Sequence, residues 1–219
     1  MRIELRQVSK GKNGSALPDT SLVLQTGTAT FARAETEQRP TVLGLIAAGR
    51  MRPDTGTVLI DGTVDSSRIR REIALVDAPI VSEPAGNVAV SQVVAEELMF
   101  AGLKSHPIAV GRTLDEFGLR DRAGTDIADL APGDRIRLLT NLATRRPGVT
   151  GIVLVSPDRH GGDPETWWRI ARELAAQNLA VLVIAGVAAH SAISATGEVV
   201  PGATVPSDTA TLFGLEGLA

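Results

Sequence analysis

Apolar and polar residues alternate from Ile3 to Val8 and again from Ser21 to Gln25. That period of two is what a half-buried strand requires, so the two segments predict a small antiparallel layer. Thr28 to Phe31 predicts a third strand, and Val42 to Ala48 an apolar helix that Gly49 ends. Thr57 to Ile60 predicts a strand running into Asp61-Gly62, a hairpin dipeptide. Ile73 to Val76, Ile152 to Val155 and Leu179 to Ile184 are continuous apolar runs. Such runs suit strands covered on both faces of a parallel sheet.

Between these strands the period changes. Gln92 to Ala101 presents Val94, Leu98 and Ala101 at helical spacing, with Ser91 as the expected N-cap and Gly102 as the stop. Thr113 to Phe117 and Ile136 to Ala143 are further helical segments. Asp163-Pro164-Glu165 opens another helix with a cap, a first-turn proline and an acidic residue. Trp167, Ile170 and Leu174 form its buried stripe. Trp168 reads either as partial cover of the same core or as an outward-facing interface anchor. From Ser191 to Ala219 the chain is rich in Ala, Gly, Thr and Pro, which predicts one or two short strands and a loosely packed end. Alternating strands and helices after residue 40 predict an α/β architecture on a parallel core sheet.

Composition narrows the class. With 219 residues the chain can build one core, or one core plus a small subdomain. A formal net charge of −3 leaves no electrostatic footprint for nucleic acid. Without Cys, disulfides and thiolate metal sites are excluded. The N-terminus alternates instead of carrying a signal peptide's apolar core, and the longest apolar run, Leu179 to Ala189, is too short to span a bilayer. The expectation is a cytoplasmic protein that meets a membrane only through a partner.

Three phrases carry a family likeness. From Gly27 to Gly62 a strand, a loop and an apolar helix ending in Ala48-Gly49 lead to the turn Arg52-Pro53-Asp54-Thr55-Gly56 and the strand Thr57-Val58-Leu59-Ile60-Asp61-Gly62. Leu130-Ala131-Pro132-Gly133-Asp134 precedes the basic and apolar Arg135-Ile136-Arg137-Leu138. Ile152-Val153-Leu154-Val155 runs into Ser156-Pro157-Asp158. In this order and at these separations the chain resembles the ATP-binding cassette (ABC) domain of ABC transporters over most of residues 1–190. The resemblance implies an α/β, P-loop NTPase-like ABC domain: a mostly parallel core sheet, an N-terminal antiparallel layer and a small helical subdomain. Residues 1–219 would form one domain, with 1–86 and 147–190 as core, 87–146 as helical subdomain and 191–219 as a truncated C-terminal tail. It also implies ATP and magnesium as cofactors. The implied partners are a polytopic membrane transporter subunit, docked through the Asn87–Gly102 segment, and a second ABC domain in a homo- or heterodimer.

The chemistry departs from the family pattern at each site. In the family's G-x-x-G-x-G-K-[ST] loop (Walker A), glycines turn backbone N–H groups onto the phosphates, a Lys reaches the outer phosphates and a hydroxyl holds magnesium. Here the glycine positions are Ala34, Glu37 and Arg39, the Lys position is Pro40, and the hydroxyl survives as Thr41. Ala34, Arg39 and Thr41 are the residues the resemblance leaves as a nucleotide loop. Pro40 contributes neither an N–H nor a cation. Glu35 and Glu37 bring negative charge toward the place of a polyanion, and Arg33 and Arg39 offset part of it. Two like charges 4 Å apart repel by about 1 kcal/mol in water and about 4 kcal/mol at an effective dielectric near 20.

The remaining family positions change in the same sense. The Gln expected after the Ile73–Val76 strand falls at Ala78, beside Asp77, which reads as a turn residue or cap ahead of a metal ligand. The LSGGQ signature loses its Ser at Ala131 and a donor at Pro132, and the segment also reads as an ordinary helix start. At Walker B the magnesium-orienting carboxylate becomes Val155 and the general base becomes Ser156, which cannot act as a base at neutral pH. Asp158 and His160 follow in what reads as a polar loop. The switch histidine position lies in Ala185-Gly186-Val187, and His190 arrives late. Only 3% of residues are aromatic, and none lies in Gln7 to Ser15, where the family stacks adenine.

The sequence therefore predicts a non-hydrolysing ABC homologue with no catalytic residue and no metal ligand assigned. The alternative is an unorthodox ATPase using Thr41, Asp77 and Asp158 around magnesium. A third reading is a transport-unrelated interaction module presenting Trp168.

Overall fold

A computed structural model describes residues 1–35, 38–196 and 202–204. Two sheets organise the chain. In the first, β1 (Arg2–Lys10) pairs antiparallel with β2 (Leu17–Gln25) on one side and with β4 (Thr55–Ile60) on the other. Register runs from Arg2 opposite Gln25 to Lys10 opposite Leu17, and Ile3 faces Ile60 across the second pair. In the second sheet β3 (Ala29–Arg33), β5 (Ile73–Val76), β6 (Gly151–Val155), β7 (Ala180–Ala185) and β8 (Gly202–Thr204) lie in the order β5-β6-β7-β3-β8. Each of its pairings is parallel.

The continuous apolar runs do what their pattern requires. Val153, Val155, Leu182 and Ile184 point to one face of the parallel sheet, where they meet Leu43 and Ile46 of α1 (Gln38–Ala47) and the inner face of the first sheet. Ile152, Leu154, Val181 and Val183 point to the other. There they meet α3 (Val90–Phe100), α4 (Pro107–Glu116), α5 (Pro132–Thr144), α6 (Pro164–Ala176) and α7 (Val187–Ala195), which contribute to the same apolar cluster. Gly44 lets α1 lie close on the sheet, since a Cβ there would stand 2.7 Å from the Val155 side chain.

Several local expectations change. Asp61-Gly62 forms only a tight turn closed by Ile60 and Thr63, and the chain leaves it for α2 (Ser66–Glu72) instead of a second hairpin strand. Asp65 caps α2 by accepting from the Arg68 N–H at 2.8 Å. The helix buries only Ile69, too little for an apolar period to reveal it. α3 begins at Val90, ahead of the expected Ser91 cap. The carbonyls of Thr125 and Ala123 accept from the Val90 and Ser91 N–H groups and replace a side-chain cap. α4 begins six residues before Thr113, at Pro107. Trp168 is 2% exposed, so it covers the core and does not present an anchor. Its ring meets Phe31 edge-on at 5.8 Å. One of the expected tail strands is β8; residues 197–201 and 205–219 lie outside the described residues.

Candidate functional site

The C-terminal ends of β3, β5, β6 and β7 open on one side of the parallel sheet, the side where α/β folds place their ligands. Ala34 and Glu35 leave β3, Asp77 leaves β5, Ser156 leaves β6 and Gly186 leaves β7. Ala34 is buried, and its N–H donates to the Ala185 carbonyl at 2.9 Å. Arg39 and Pro40 are buried in the first turn of α1, and Thr41 follows half-buried. Thr36 and Glu37, the latter at a position the resemblance matches to a glycine, lie outside the described residues.

Two carboxylates meet the start of α7. Gly186 precedes this helix and has no side chain to cap it. Asp158 accepts from the Gly186 N–H at 2.9 Å, and Glu35 accepts from the Val187 N–H. A Cβ on Gly186 would lie 3.1 Å from the Asp158 Oδ2 and 3.6 Å from the Glu35 Oε1. The orphan N–H groups and the positive end of a helix dipole favour such anions. Asp158 reaches them because Ser156 adopts a left-handed conformation (φ 49°) and sends the chain into the short turn Pro157–His160.

Asp77 is neither a simple cap nor an open loop residue. Its backbone is left-handed (φ 56°) and its carboxylate is wholly buried. Arg135 Nη2 donates to Oδ1 at 2.8 Å, and His160 Nε2 lies 2.7 Å from Oδ2. Arg159 Nη2 stands 3.2 Å from Oδ1, while its Nη1 donates to the Asp77 carbonyl at 2.6 Å. Arg159 also pairs with Glu83 at 2.6 Å, and Arg135 Nη1 donates to the Ile127 carbonyl at 3.1 Å. Burial pushes the Asp77 carboxyl up. The His160 hydrogen bond and the Arg135 and Arg159 charges outweigh it and hold the carboxyl below the ordinary carboxylate range. The loop that read as merely polar thus supplies two partners, Arg159 and His160, to the buried Asp77 carboxylate.

His190 sits on α7 with its ring 5.3 Å from that of Phe31, edge to face. Burial, and then the charge of Arg33, lowers its pKa below the usual histidine value. Of the residues grouped for an unorthodox site, Asp77 is engaged by two arginines and a histidine and Asp158 by a helix N-terminus. Among the described residues no group of three or more His, Cys, Asp or Glu is placed to hold a metal ion.

No family model matches the sequence, and no curated protein matches it either. Solved structures do match the fold. A Pyrococcus furiosus protein assigned as an ABC-transporter ATP-binding protein superposes with a TM-score of 0.63 at 13% identity, over 94% of this chain and 98% of that one. CbiO1 of Clostridium perfringens, part of the ABC transporter complex CbiONQ, gives 0.58 at 19% identity, over 84% and 77%. A dimeric bacterial ABC transporter cassette gives 0.60 at 19% identity, over 84% and 87%.

The chain has the fold of an ABC ATP-binding cassette. The segment that the resemblance matches to the signature, Leu130 to Asp134, enters α5 with Pro132 in its first turn, the ordinary helix start that its residues allow. Arg135, one residue further, reaches the loop after β5. The Asp77 cluster therefore ties that loop, the start of α5 and the turn after β6 together. The sequence could not show this, because Asp77 and its partners are 58, 82 and 83 residues apart. The stretch from Gln7 to Ser15 forms the end of β1 and a turn. Next to it Asp54 accepts from Lys10 Nζ at 2.6 Å and from the Gly11 N–H at 2.9 Å.

Proposed function

We propose that this cassette is a non-hydrolysing subunit that pairs with a second cassette or docks on a polytopic membrane transporter at its cytoplasmic face. One observation carries the reading. Beside the loop that would seat phosphates, Glu35 and Asp158 hold the first N–H groups of α7, and the loop's own Ala34 N–H is engaged by Ala185. Pro40 contributes no donor. Mg-ATP does not fit this donor set, because a triphosphate would have to displace two carboxylates or lie beside them.

The docking half of the reading rests on α3 and the segment after β5. A groove of 180 Å³ runs between them, lined by Glu83, Pro84, Val93, Phe100 and Arg146. Ile80 is 96% exposed at a left-handed φ of 65°, a costly conformation for a β-branched residue. Met99 and Phe100 are exposed nearby in sequence to the groove's α3 wall. Solved cassettes with this fold include one that is part of a transporter complex and one that is dimeric. We assign the same kind of partner here.

Isothermal titration with Mg-ATP tests the first half. The expected result is no heat up to millimolar nucleotide. Micromolar binding abolished by Thr41→Ala would instead support the alternative, an ATPase built on Thr41, Asp77 and Asp158. Co-purification with a multi-span membrane protein tests the second half against a transport-unrelated interaction role.

A further inference from the structure

At the end of the parallel sheet opposite the loop after β3, the end of α1, β4 and the start of α2 enclose a cleft of 530 Å³. Its volume falls in the range of about 300–1,000 Å³ that small-molecule sites occupy. Arg50, Arg52 and Arg70 line it, and Met51, Val58 and Val64 supply apolar surface beside them. Val64 is 71% exposed with no packing role that would account for it.

Two of the three guanidiniums are held by neutral acceptors. Arg50 Nη1 donates to the carbonyls of Ala48 and Ile73 at 3.0 and 3.1 Å. Arg70 donates to the Gly49 carbonyl at 2.9 Å and to the Ser67 hydroxyl at 3.0 Å. Gly49 itself packs tightly, since a Cβ there would stand 2.8 Å from the Ser66 carbonyl, so the two walls are held in register. Neutral carbonyls orient these cations without neutralising them. Among the described residues, none of the three arginines forms an ion pair with a carboxylate. Asp54, the one acid on the cleft, is engaged by Lys10 and the Gly11 N–H. Burial, followed by the charges of Arg146 and Arg70, makes the Arg50 proton less tightly held than usual. A cluster of like charges without a counter-charge is unfavourable until an anion joins it, and planar, pre-oriented guanidiniums match phosphate oxygens.

We propose that this cleft is a second ligand site, which takes a phosphate group carried on a partly apolar body. The arginines hold the phosphate while Met51, Val58 and Val64 contact the body. The site is separate from the degenerate nucleotide loop and does not depend on what that loop binds.

Nuclear magnetic resonance titration of the full chain tests the proposal, read at the amides of Gly49, Met51 and Val64. The probes are inorganic phosphate and a short-chain anionic phospholipid, with a zwitterionic phospholipid of equal chain length as control. Saturable shifts at these amides are expected. Arg52→Gln should weaken binding about tenfold, the effect of removing one charge-assisted contact. Arg52 makes no side-chain bond within the cleft, so this variant keeps its fold even where Arg70→Gln does not. Saturation by phosphate with no gain from acyl chains identifies a soluble phosphorylated compound. Saturation by the anionic lipid alone identifies a headgroup. Absence of saturable shifts with either probe, or shifts that Arg52→Gln leaves unchanged, overturns the proposal.

Discussion

Asp77 and Arg135 meet at 2.8 Å with side chains 0% and 4% exposed, joining the loop after β5 to the first turn of α5. Removing one member of such a pair leaves the other charge buried and uncompensated, which costs about 3–5 kcal/mol. Arg135→Ala and Asp77→Ala should each lower the unfolding free energy by that amount, read as a lower urea midpoint with little change in slope. The double variant should fall short of the sum, because both single changes remove the same contact.

The same pair sets an acid limit. The Asp77 carboxyl titrates below its ordinary value in the folded chain. Between the unfolded value of about 3.9 and the lower folded one, the unfolded chain binds the extra proton. The stability from Asp77 is therefore fully present above about pH 4 and lost as pH falls through the folded value. Unfolding free energy measured from pH 6 downward should drop steeply in wild type. In Asp77→Asn the drop should be shallower, from a lower starting stability.

The N-terminus of α7 gives a third expectation. Glu35 and Asp158 satisfy the Val187 and Gly186 N–H groups in place of a side chain on Gly186. Losing a helix cap costs about 1 kcal/mol. Asp158→Ala should lower stability by roughly that amount, and Glu35→Ala by less, since Glu35 is exposed to solvent. Hydrogen exchange at Gly186 and Val187 should quicken in both variants, while exchange in β6 stays slow.

Trp168 decides between core and interface. Both Trp167 and Trp168 are buried against Phe31. Truncating a buried tryptophan costs about 3–5 kcal/mol. Trp168→Ala should therefore lower the melting temperature strongly, as a surface anchor would not.

What the sequence made legible follows from burial. The strands Ile73–Val76, Gly151–Val155 and Ala180–Ala185 are covered on both faces, so unbroken apolar runs marked them. α6 announced itself through Asp163, which caps it by accepting from the Glu165 N–H at 3.0 Å. α2 and α7 gave no such signal, because they bury one residue and two residues respectively. The Asp77 cluster was hidden for another reason: a lone Asp, two Arg and a His carry no local pattern when the fold alone brings them together. Asp158 and Glu35 were visible as charges near the loop, but their shared target, a backbone N–H pair, has no sequence signature.

The central proposal is that the loop after β3 seats no triphosphate, with Glu35 and Asp158 bonded to the start of α7 beside it. A crystal structure after soaking with a magnesium-bound, non-hydrolysable ATP analogue measures this most directly. The account predicts Glu35 still bonded to the Val187 N–H, with no ordered triphosphate between Ala34 and Thr41. Ordered triphosphate density seated on the start of α1, with a metal ion on Thr41, would contradict it.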